Sequence, residues 1–188
     1  DTMTIDVSKP DFLINNGLWK GRSLYDLYSE AHTPFEWHRE LFLYAKEIGV
    51  TLFSSPFDET AVDLLDSLDT PAFKVASFEV VDLPLIKYIA QKKKPILMST
   101  GMASCEEIGE AIEVAKSVGN ENILLFHCIS SYPTPLSEVN LNMIPILQRE
   151  FNLQVGLSDH TIGNLASVIA TSMGATAIEK HFTLNRSD

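Results

Sequence analysis

The sequence predicts an α/β fold of the (β/α)₈ TIM-barrel type, and three observations lead to this prediction. Apolar runs of strand length alternate with helical segments from residue 50 to the end of the 188-residue chain. Each run is mostly apolar throughout instead of alternating, as expected for a parallel sheet that helices cover. Polar side chains follow nearly every run, and a barrel gathers the carboxyl ends of all its strands around one mouth.

Two helices are predicted before the repeating part of the chain. Residues 1–16 show no clear periodicity, and residues 17–21 indicate a turn. Residues 22–31 are predicted to form a short helix because their apolar side chains share one face. A capping box with proline at the first helical position, residues 33–36, begins a second helix, and Gly49 suits its left-handed C-terminal cap.

Strands and helices then alternate. The predicted strands are residues 50–54, 72–76, 95–99, 122–128, 153–157 and 175–178. The predicted helices between them are residues 58–68, 82–91, 104–118, 140–151 and 165–173. Ser104 and Glu107 belong to a capping box at the third of these helices, whereas Pro145 indicates a late start or a kink in the fourth.

Two architectures fit this alternation. An open doubly wound sheet is the alternative to the barrel, but no GxGxxG follows the first predicted strand, so the dinucleotide-binding version lacks its fingerprint. Six strands do not close an eight-stranded barrel. Either two units are missing from this chain, or the architecture is not a barrel.

Two histidines follow the last two predicted strands, His160 after one and His181 after the other. A strand, a helix and a strand place both histidines at the same end of neighbouring parallel strands. Two neutral imidazoles beside Asp159 and Glu179 fit a divalent-metal pair. The alternative is two structural histidines at strand ends, and the spacing alone leaves both interpretations open.

Composition excludes some partners. The formal net charge of −11 argues against nucleic acid or an anionic membrane surface as the main partner. No apolar run reaches the roughly 18 residues needed to span a bilayer, and the first residues do not resemble a signal peptide.

Cys105 and Cys128 are the only cysteines, which favours a reducing, cytoplasmic setting with free thiols. The length and the 45% hydrophobic content predict one domain over residues 1–188.

A set of short motifs carries a family resemblance. They are FKVASFE at residues 73–79, PILMSTGM at 95–102, HC at 127–128 with YP at 132–133, GLSDH at 156–160 and EKHF at 179–182. In this order and spacing they resemble the sialic acid synthase family. Further segments are similar to one branch of it, the pseudaminic acid synthases: residues 17–19, 24–28, 33–38 and 53–57.

The resemblance implies a reaction and a larger protein. Enzymes of this branch condense phosphoenolpyruvate with a 2,4-diacetamido-2,4,6-trideoxy hexose to form a nonulosonic acid, and they release phosphate. Family members also carry two earlier βα units, a final barrel helix and a C-terminal antifreeze-like domain that reaches into a partner subunit's site. The chain therefore resembles strands 3 to 8 of a barrel, from a full-length protein expected to be a homodimer.

The resemblance also assigns roles to individual residues. His160 and His181 correspond to the two histidines that hold a divalent metal, Mn²⁺ or Mg²⁺. The residues expected to bind phosphoenolpyruvate are Lys74, Ser77, Ser99 and Ser158, and Ser130 stands where sialic acid synthases have a ligand-binding asparagine. Lys74 has physical support, because an ionisable residue within an apolar strand is unfavourable unless it faces a ligand or reaches solvent at the strand end.

The remaining assignments concern the sugar. Glu79 is the expected sugar-facing carboxylate, and Glu179, like His181, is expected to act next to the metal and the aldehyde. Tyr132 either contacts an acetamido methyl group or packs within its loop. Asp159 either orients His160 through the second ring nitrogen or caps the following helix. His127, inside a strand, is expected to be structural.

Other functions remain open at this point. N-acetylneuraminate and legionaminate synthases share the mechanism and differ in the sugar. A metal-dependent barrel aldolase or hydrolase would need a third protein ligand to the metal. A non-catalytic sugar-phosphate-binding fragment would keep the polar strand ends without turnover.

Overall fold

The structure is a computed structural model that describes residues 4–7, 9–15 and 19–185. It divides into two compact units, Asp1–Leu52 with Phe57–Thr70 and Phe53–Pro56 with Pro71–Asp188. The prediction of a single domain over residues 1–188 stays a prediction. The motif and the turn predicted to begin at residue 17 lie partly outside the described residues, since residues 16–18 are not among them.

The first unit is helical. Its helices are α1 (Leu24–Ala31), α2 (Phe35–Glu47) and α3 (Glu59–Ser67). The predicted capping box at the start of α2 is wrong, because Pro34 occupies the cap position and no side chain caps the helix. Thr33 stands one residue too early to reach the free N–H groups of the first turn. Gly49 has φ +73°, which confirms the left-handed conformation predicted after this helix.

The second unit contains a five-stranded parallel sheet. Its strands are β1 (Phe73–Val75), β2 (Ile96–Ser99), β3 (Ile123–Cys128), β4 (Gln154–Asp159) and β5 (Ile178–Lys180), and they are adjacent in chain order. The helices that connect them are α4 (Leu83–Gln91), α5 (Cys105–Ser117), α6 (Met143–Phe151) and α7 (Leu165–Ser172). Sequential parallel strands joined by helices form a half-barrel, which confirms the predicted fold class.

One predicted strand does not form. Residues 50–54 contribute only an isolated parallel bridge, between Ser54 and Phe73, with the Lys74 amide donating to the Ser54 carbonyl at 3.2 Å. Pro56 lies two residues beyond the bridge and has no N–H with which to extend a ladder. The described sheet therefore has five strands instead of six.

Helix starts in this unit follow the sequence more closely. Ser104 and Glu107 form the predicted capping box at α5, with each side chain bonded to the other residue's backbone. Helix α6 begins at Met143, so Pro145 lies in the first turn, where its missing N–H breaks no helical bond. The late start is thus the correct alternative.

Strand alternation separates the side chains of the sheet into two faces. The register pairs Ser99 with Phe126, Cys128 with Ser158, and Ser158 with Glu179. We call the face that carries these side chains and Lys74 the polar face. The opposite face carries the buried apolar core, with Val75, Met98, Leu125, Val155 and Leu157 at most 2% exposed. Towards the carboxyl ends of β3, β4 and β5 it also carries His127, Asp159 and Lys180. Helices α6 and α7 pack against β4, so one face is committed to the core and the other is left for chemistry.

Candidate active site on the polar face

Lys74 is the central charge of the polar face. It is only 8% exposed, and its Nζ donates to the Ser99 hydroxyl at 2.5 Å and to the Val75 carbonyl at 3.2 Å. Burial lowers the pKa of Lys74, while the nearby Glu179 carboxylate opposes this shift from 3.7 Å. The side chain does not extend to solvent, so the alternative of a strand-end lysine reaching outward is wrong.

Glu179, on β5, connects Lys74 on β1 to Ser158 on β4. Its Oε1 accepts a hydrogen bond from the Ser158 hydroxyl at 2.6 Å, and its Oε2 faces Lys74. The same Ser158 oxygen lies 3.3 Å from His160 Nε2. Because a serine hydroxyl has one proton and gives it to the closer carboxylate, it has none left for the imidazole.

The position of His160 determines its tautomer. Its Nδ1 lies 3.0 Å from the Ile129 carbonyl oxygen. A carbonyl can only accept, so Nδ1 carries the proton and donates it. In a neutral ring with its proton on Nδ1, the lone pair is on Nε2, which lies on the polar face 3.3 Å from the Ser158 hydroxyl oxygen. This is the tautomer that an imidazole needs in order to bind a metal through Nε2.

Three aromatic rings meet at the carboxyl ends of β4 and β5. The ring centroids of His160 and His181 lie 5.2 Å apart, and the Tyr132 ring lies 4.3 Å from the first and 5.6 Å from the second. Tyr132 is 66% exposed, so its contacts are with the histidines instead of a packed loop interior. The two predicted histidines are therefore neighbours in space as well as in topology.

The residues present fit a divalent metal held by two imidazoles. His160 has the correct tautomer, and His181 is exposed beside it. Within residues 4–7, 9–15 and 19–185, no group of three or more His, Cys, Asp and Glu side chains is arranged to hold a metal ion. Two nitrogen donors leave the remaining coordination positions to water or substrate oxygen.

The loop after β2 presses against the polar face. A Cβ on Gly101 would lie 2.4 Å from the Ser77 Cβ, and Gly101 has φ +43°. The Ser77 hydroxyl in turn lies 3.5 Å from the Cys128 sulfur. Glycine is thus required for this loop to approach Ser77 so closely.

Cys128 is the residue of this site to which sequence reasoning gave no role. Its thiol is 2% exposed and lies within 4.0 Å of Ser77 Oγ, Ser130 Oγ and His160 Nδ1. It therefore links three predicted site residues from different segments. The available signal was strand alternation, which places Cys128 on the same face as Phe126 and Ser158.

Glu79 lies in a 3₁₀ turn after β1, and its Oε2 is a buried oxygen without a hydrogen-bond partner among the described residues. Burial raises the pKa of Glu79, and the Lys74 charge counteracts the shift only in part. A buried carboxylate oxygen without a partner is unfavourable, so a ligand hydroxyl would relieve it.

Asp159 makes the contacts of a loop anchor. Its carboxylate accepts from the Thr161 amide and hydroxyl and from the Ser167 hydroxyl on α7, and it pairs with Lys180 at 3.0 Å. Burial alone would raise the pKa of Asp159, but these partners lower it to about 2. Neither sequence-based alternative describes Asp159, since Ile129 holds the second ring nitrogen of His160, and Asn164 occupies the N-cap position of α7 with no side-chain cap. His127 is likewise structural, with its Nε2 bonded to the Val139 carbonyl at 2.8 Å.

Comparison with known proteins gives this geometry a context. The model of the NeuB family matches residues 1–188. The chain belongs to the NeuB family. In the described residues, no helix combines the length and the hydrophobicity that crossing a bilayer requires.

Individual family members are similar over most of the chain. Pseudaminic acid synthase of Helicobacter pylori is 45% identical over 185 residues, which are 98% of this chain and 54% of that protein. N,N'-diacetyllegionaminic acid synthase of Campylobacter jejuni is 46% identical over 151 residues, 79% of this chain and 45% of that protein. The resemblance to the pseudaminic branch of the family is thereby confirmed.

A solved structure of a sialic acid synthetase has a similar fold. The N-acetylneuraminic acid synthetase of Leptospira borgpetersenii, crystallised with citrate, matches with a TM-score of 0.83 and 28% identity. The match covers 87% of this chain and 57% of the other. The chain thus spans about half the length of the family members it matches.

Proposed function

We propose that the protein containing this chain is a pseudaminic acid synthase, which condenses phosphoenolpyruvate with an open-chain 2,4-diacetamido-2,4,6-trideoxy hexose. One carbon–carbon bond forms, water adds to carbon two of the former phosphoenolpyruvate, and the bond to the phosphate oxygen breaks. The observation that carries the proposal is the buried Lys74 ammonium, held beside Ser99 on the same face as the histidine pair. The 45% identity to a pseudaminic acid synthase supports the choice of sugar.

The anionic substrate has a matching set of donors. Phosphoenolpyruvate carries up to three negative charges, whereas the chain has a net charge of −11, so binding depends on local positive charge. Lys74 supplies this charge, and the hydroxyls of Ser77 and Ser99 supply neutral donors. Ser158 joins them when its proton turns from Glu179 to the anion. Ser130, next to the Cys128 thiol, completes the set. Lys74, Ser99 and Ser158 are buried, and buried donors bind an anion more strongly than exposed ones.

The histidine pair faces the reacting aldehyde. A bound Mn²⁺ or Mg²⁺ would polarise the aldehyde oxygen and stabilise the negative charge that develops on it. His160 and His181 would hold the ion through their ring nitrogens. Glu179, tied to Ser158, is positioned between the anion site and the histidines, where it can hold or move a proton.

Glu79 and Tyr132 are assigned to the sugar. The buried oxygen of Glu79 accepts a sugar hydroxyl, which gives it the partner it lacks. The exposed ring of Tyr132 covers the histidines and offers an apolar surface to an acetamido methyl group.

The setting and partners follow from the reaction. Phosphoenolpyruvate and the acetamido sugar are the ligands, neither nucleic acid nor a membrane is required, and the protein acts in the cytoplasm. The full-length protein is a homodimer in this proposal, since the resemblance implies a second subunit at the site.

Legionaminate synthesis is the second candidate, because a legionaminic acid synthase is 46% identical over 151 residues. N-acetylneuraminate synthesis would use the same anion site and histidines. These reactions differ from the first in the sugar alone, so only a comparison of sugars separates them.

The test is phosphate release by the natural gene product that contains this sequence. Phosphoenolpyruvate and Mn²⁺ are supplied with the 6-deoxy-diacetamido altrose, the corresponding legionaminate precursor, or N-acetylmannosamine. We expect release with the altrose derivative. Release only with another sugar corrects the substrate and keeps the reaction. If phosphoenolpyruvate binds but no phosphate is released with any of the three sugars, the protein is a binding protein instead of a synthase.

A further inference from the structure

Asp159 and Lys180 are backbone register partners on β4 and β5. Each is followed directly by a histidine, Asp159 by His160 and Lys180 by His181. Strand alternation places this pair on the face opposite the polar face, beside α7. The pair is thus one residue away from both imidazoles, but it faces away from the substrate.

The contacts of Lys180 bracket one histidine. Its Nζ lies 3.0 Å from Asp159 Oδ2 and donates to the Thr161 carbonyl at 2.9 Å. These two residues stand immediately before and after His160. Asp159 Oδ1 also accepts from the Thr161 amide at 2.9 Å and from its hydroxyl at 2.7 Å. The backbone on both sides of His160 is therefore tied to the residue that precedes His181.

Burial makes this arrangement stiff. The Asp159 side chain is fully buried and the Lys180 side chain is 30% exposed. The carboxylate accepts from two Thr161 donors, from Ser167 and from Lys180, so both its oxygens are partnered. The buried carboxylate resists rearrangement, because separation from Lys180 would leave its charge without a counter-charge.

We propose that Asp159 and Lys180 are a positioning pair that fixes the distance and orientation of His160 and His181, and thereby sets the affinity for the divalent metal. The inference rests on the proposed function, which assigns the metal to these histidines. Neither residue touches the metal or the substrate. Lys180 acts through Thr161 and through its own chain neighbour.

The competing explanation is a purely structural role, in which the pair only holds β4 against β5. A structural role predicts that every variant of this part of the sheet that loses stability also loses metal affinity. A positioning role predicts that some variants lose stability without losing metal affinity. Val155 provides the matched comparison, since it lies in β4, is 0% exposed, and is four residues away from Asp159.

The experiment measures Mn²⁺ affinity from the electron paramagnetic resonance signal of the free ion, using the natural gene product. We expect Lys180→Met and Asp159→Asn to weaken Mn²⁺ binding by roughly 10- to 100-fold, the range seen when partners behind metal ligands are removed. Val155→Ala should lower the melting temperature about as much as Lys180→Met and Asp159→Asn do, but it should leave the Mn²⁺ affinity unchanged. Lys180→Arg, which keeps the charge and the donors, should restore most of the affinity. Phosphoenolpyruvate affinity without metal should be the same in all four.

Three results would overturn the proposal. Wild-type Mn²⁺ affinity in Lys180→Met would show that the pair does not set the histidine geometry. An equal loss of affinity in Val155→Ala would assign the effect to stability alone. Equal Mn²⁺ binding by the wild type and by His181→Ala would show that these histidines do not bind the metal. That result would contradict the proposed function itself, whatever the variants of Asp159 and Lys180 show.

Discussion

The Lys74 ammonium and the Ser99 hydroxyl lie 2.5 Å apart across the β1–β2 pair, where the lysine is 8% exposed. The nearest counter-charge, Glu179, is 3.7 Å away. A positive charge is thus kept largely dehydrated, and burial lowers the pKa of Lys74 although the Glu179 and Glu79 carboxylates oppose that shift. Such a charge is poorly compensated without a ligand, and an incoming anion supplies what is missing.

Lys74→Met should weaken phosphoenolpyruvate binding by about 10- to 100-fold, since a hydrogen bond to a charged group contributes about 1.5–3 kcal/mol. The melting temperature should stay the same or rise, because the variant removes a buried charge. Calorimetric titration measures the affinity for phosphoenolpyruvate, and thermal unfolding measures the melting temperature. Lys87→Met, which removes an exposed positive charge on α4, is the control and should change neither.

Gly101→Ala should also impair the anion site, by a steric route. The new Cβ would lie 2.4 Å from the Ser77 Cβ, so Ser77 must move. Gly163→Ala is the matched control: Gly163 also has a positive φ, +83°, but its Cβ would meet nothing within 4 Å. Both variants strain the backbone by about 1 kcal/mol or more, and Gly101→Ala adds the steric clash with Ser77. Only Gly101→Ala should raise the KM for phosphoenolpyruvate, and an equal KM in both variants would contradict the close Ser77 contact.

Glu79→Gln should stabilise the protein at alkaline pH and impair turnover. Burial raises the pKa of Glu79, so the folded state binds this proton more tightly than the unfolded state. The wild type therefore loses stability as the pH rises above the ordinary glutamate value and through the raised pKa. The variant has no such loss. Urea unfolding at pH 4 and pH 8 should show equal stabilities at the lower pH and a more stable variant at the higher one.

His127 should make the fold sensitive to acid. Burial lowers the pKa of His127, and the Val139 carbonyl bond offsets this only in part, so the folded state keeps a neutral ring. The unfolded state takes up a proton first, near pH 6.5, and stability falls as the pH drops below that value. His127→Gln should flatten the curve of unfolding free energy between pH 7 and pH 5. His32→Gln, at an exposed position, should keep the wild-type slope.

The sequence predicted the elements of the second unit well, because parallel strands and capped helices depend on local patterns. It was misleading where one pattern allows two structures. Residues 50–54 are apolar like a strand but form one bridge, and Pro34 takes the cap position that Thr33 was expected to hold. In both cases the deciding factor is a proline, which removes an N–H or shifts a helix start by one residue.

The histidine pair was predictable from topology, and its surroundings were not. Neighbouring strands bring His160 and His181 together in any parallel arrangement. The Ile129 carbonyl, which sets the tautomer of His160, belongs to a loop 31 residues earlier in the chain. Nothing in the sequence assigned a role to Cys128, because a buried thiol has the same sequence pattern as any small apolar core residue.

The separation of the two faces has a consequence for how the protein can diversify. Lys74, Ser99, Ser158 and Glu179 share a face only because each strand keeps its register, and a one-residue insertion inside β4 would exchange Ser158 for a core side chain. Tyr132 lies in the loop after β3, outside the ladder, where changes of length leave the register untouched. In the proposed synthase, changes in the loops can therefore alter the sugar that is accepted while the strands keep the residues assigned to phosphoenolpyruvate.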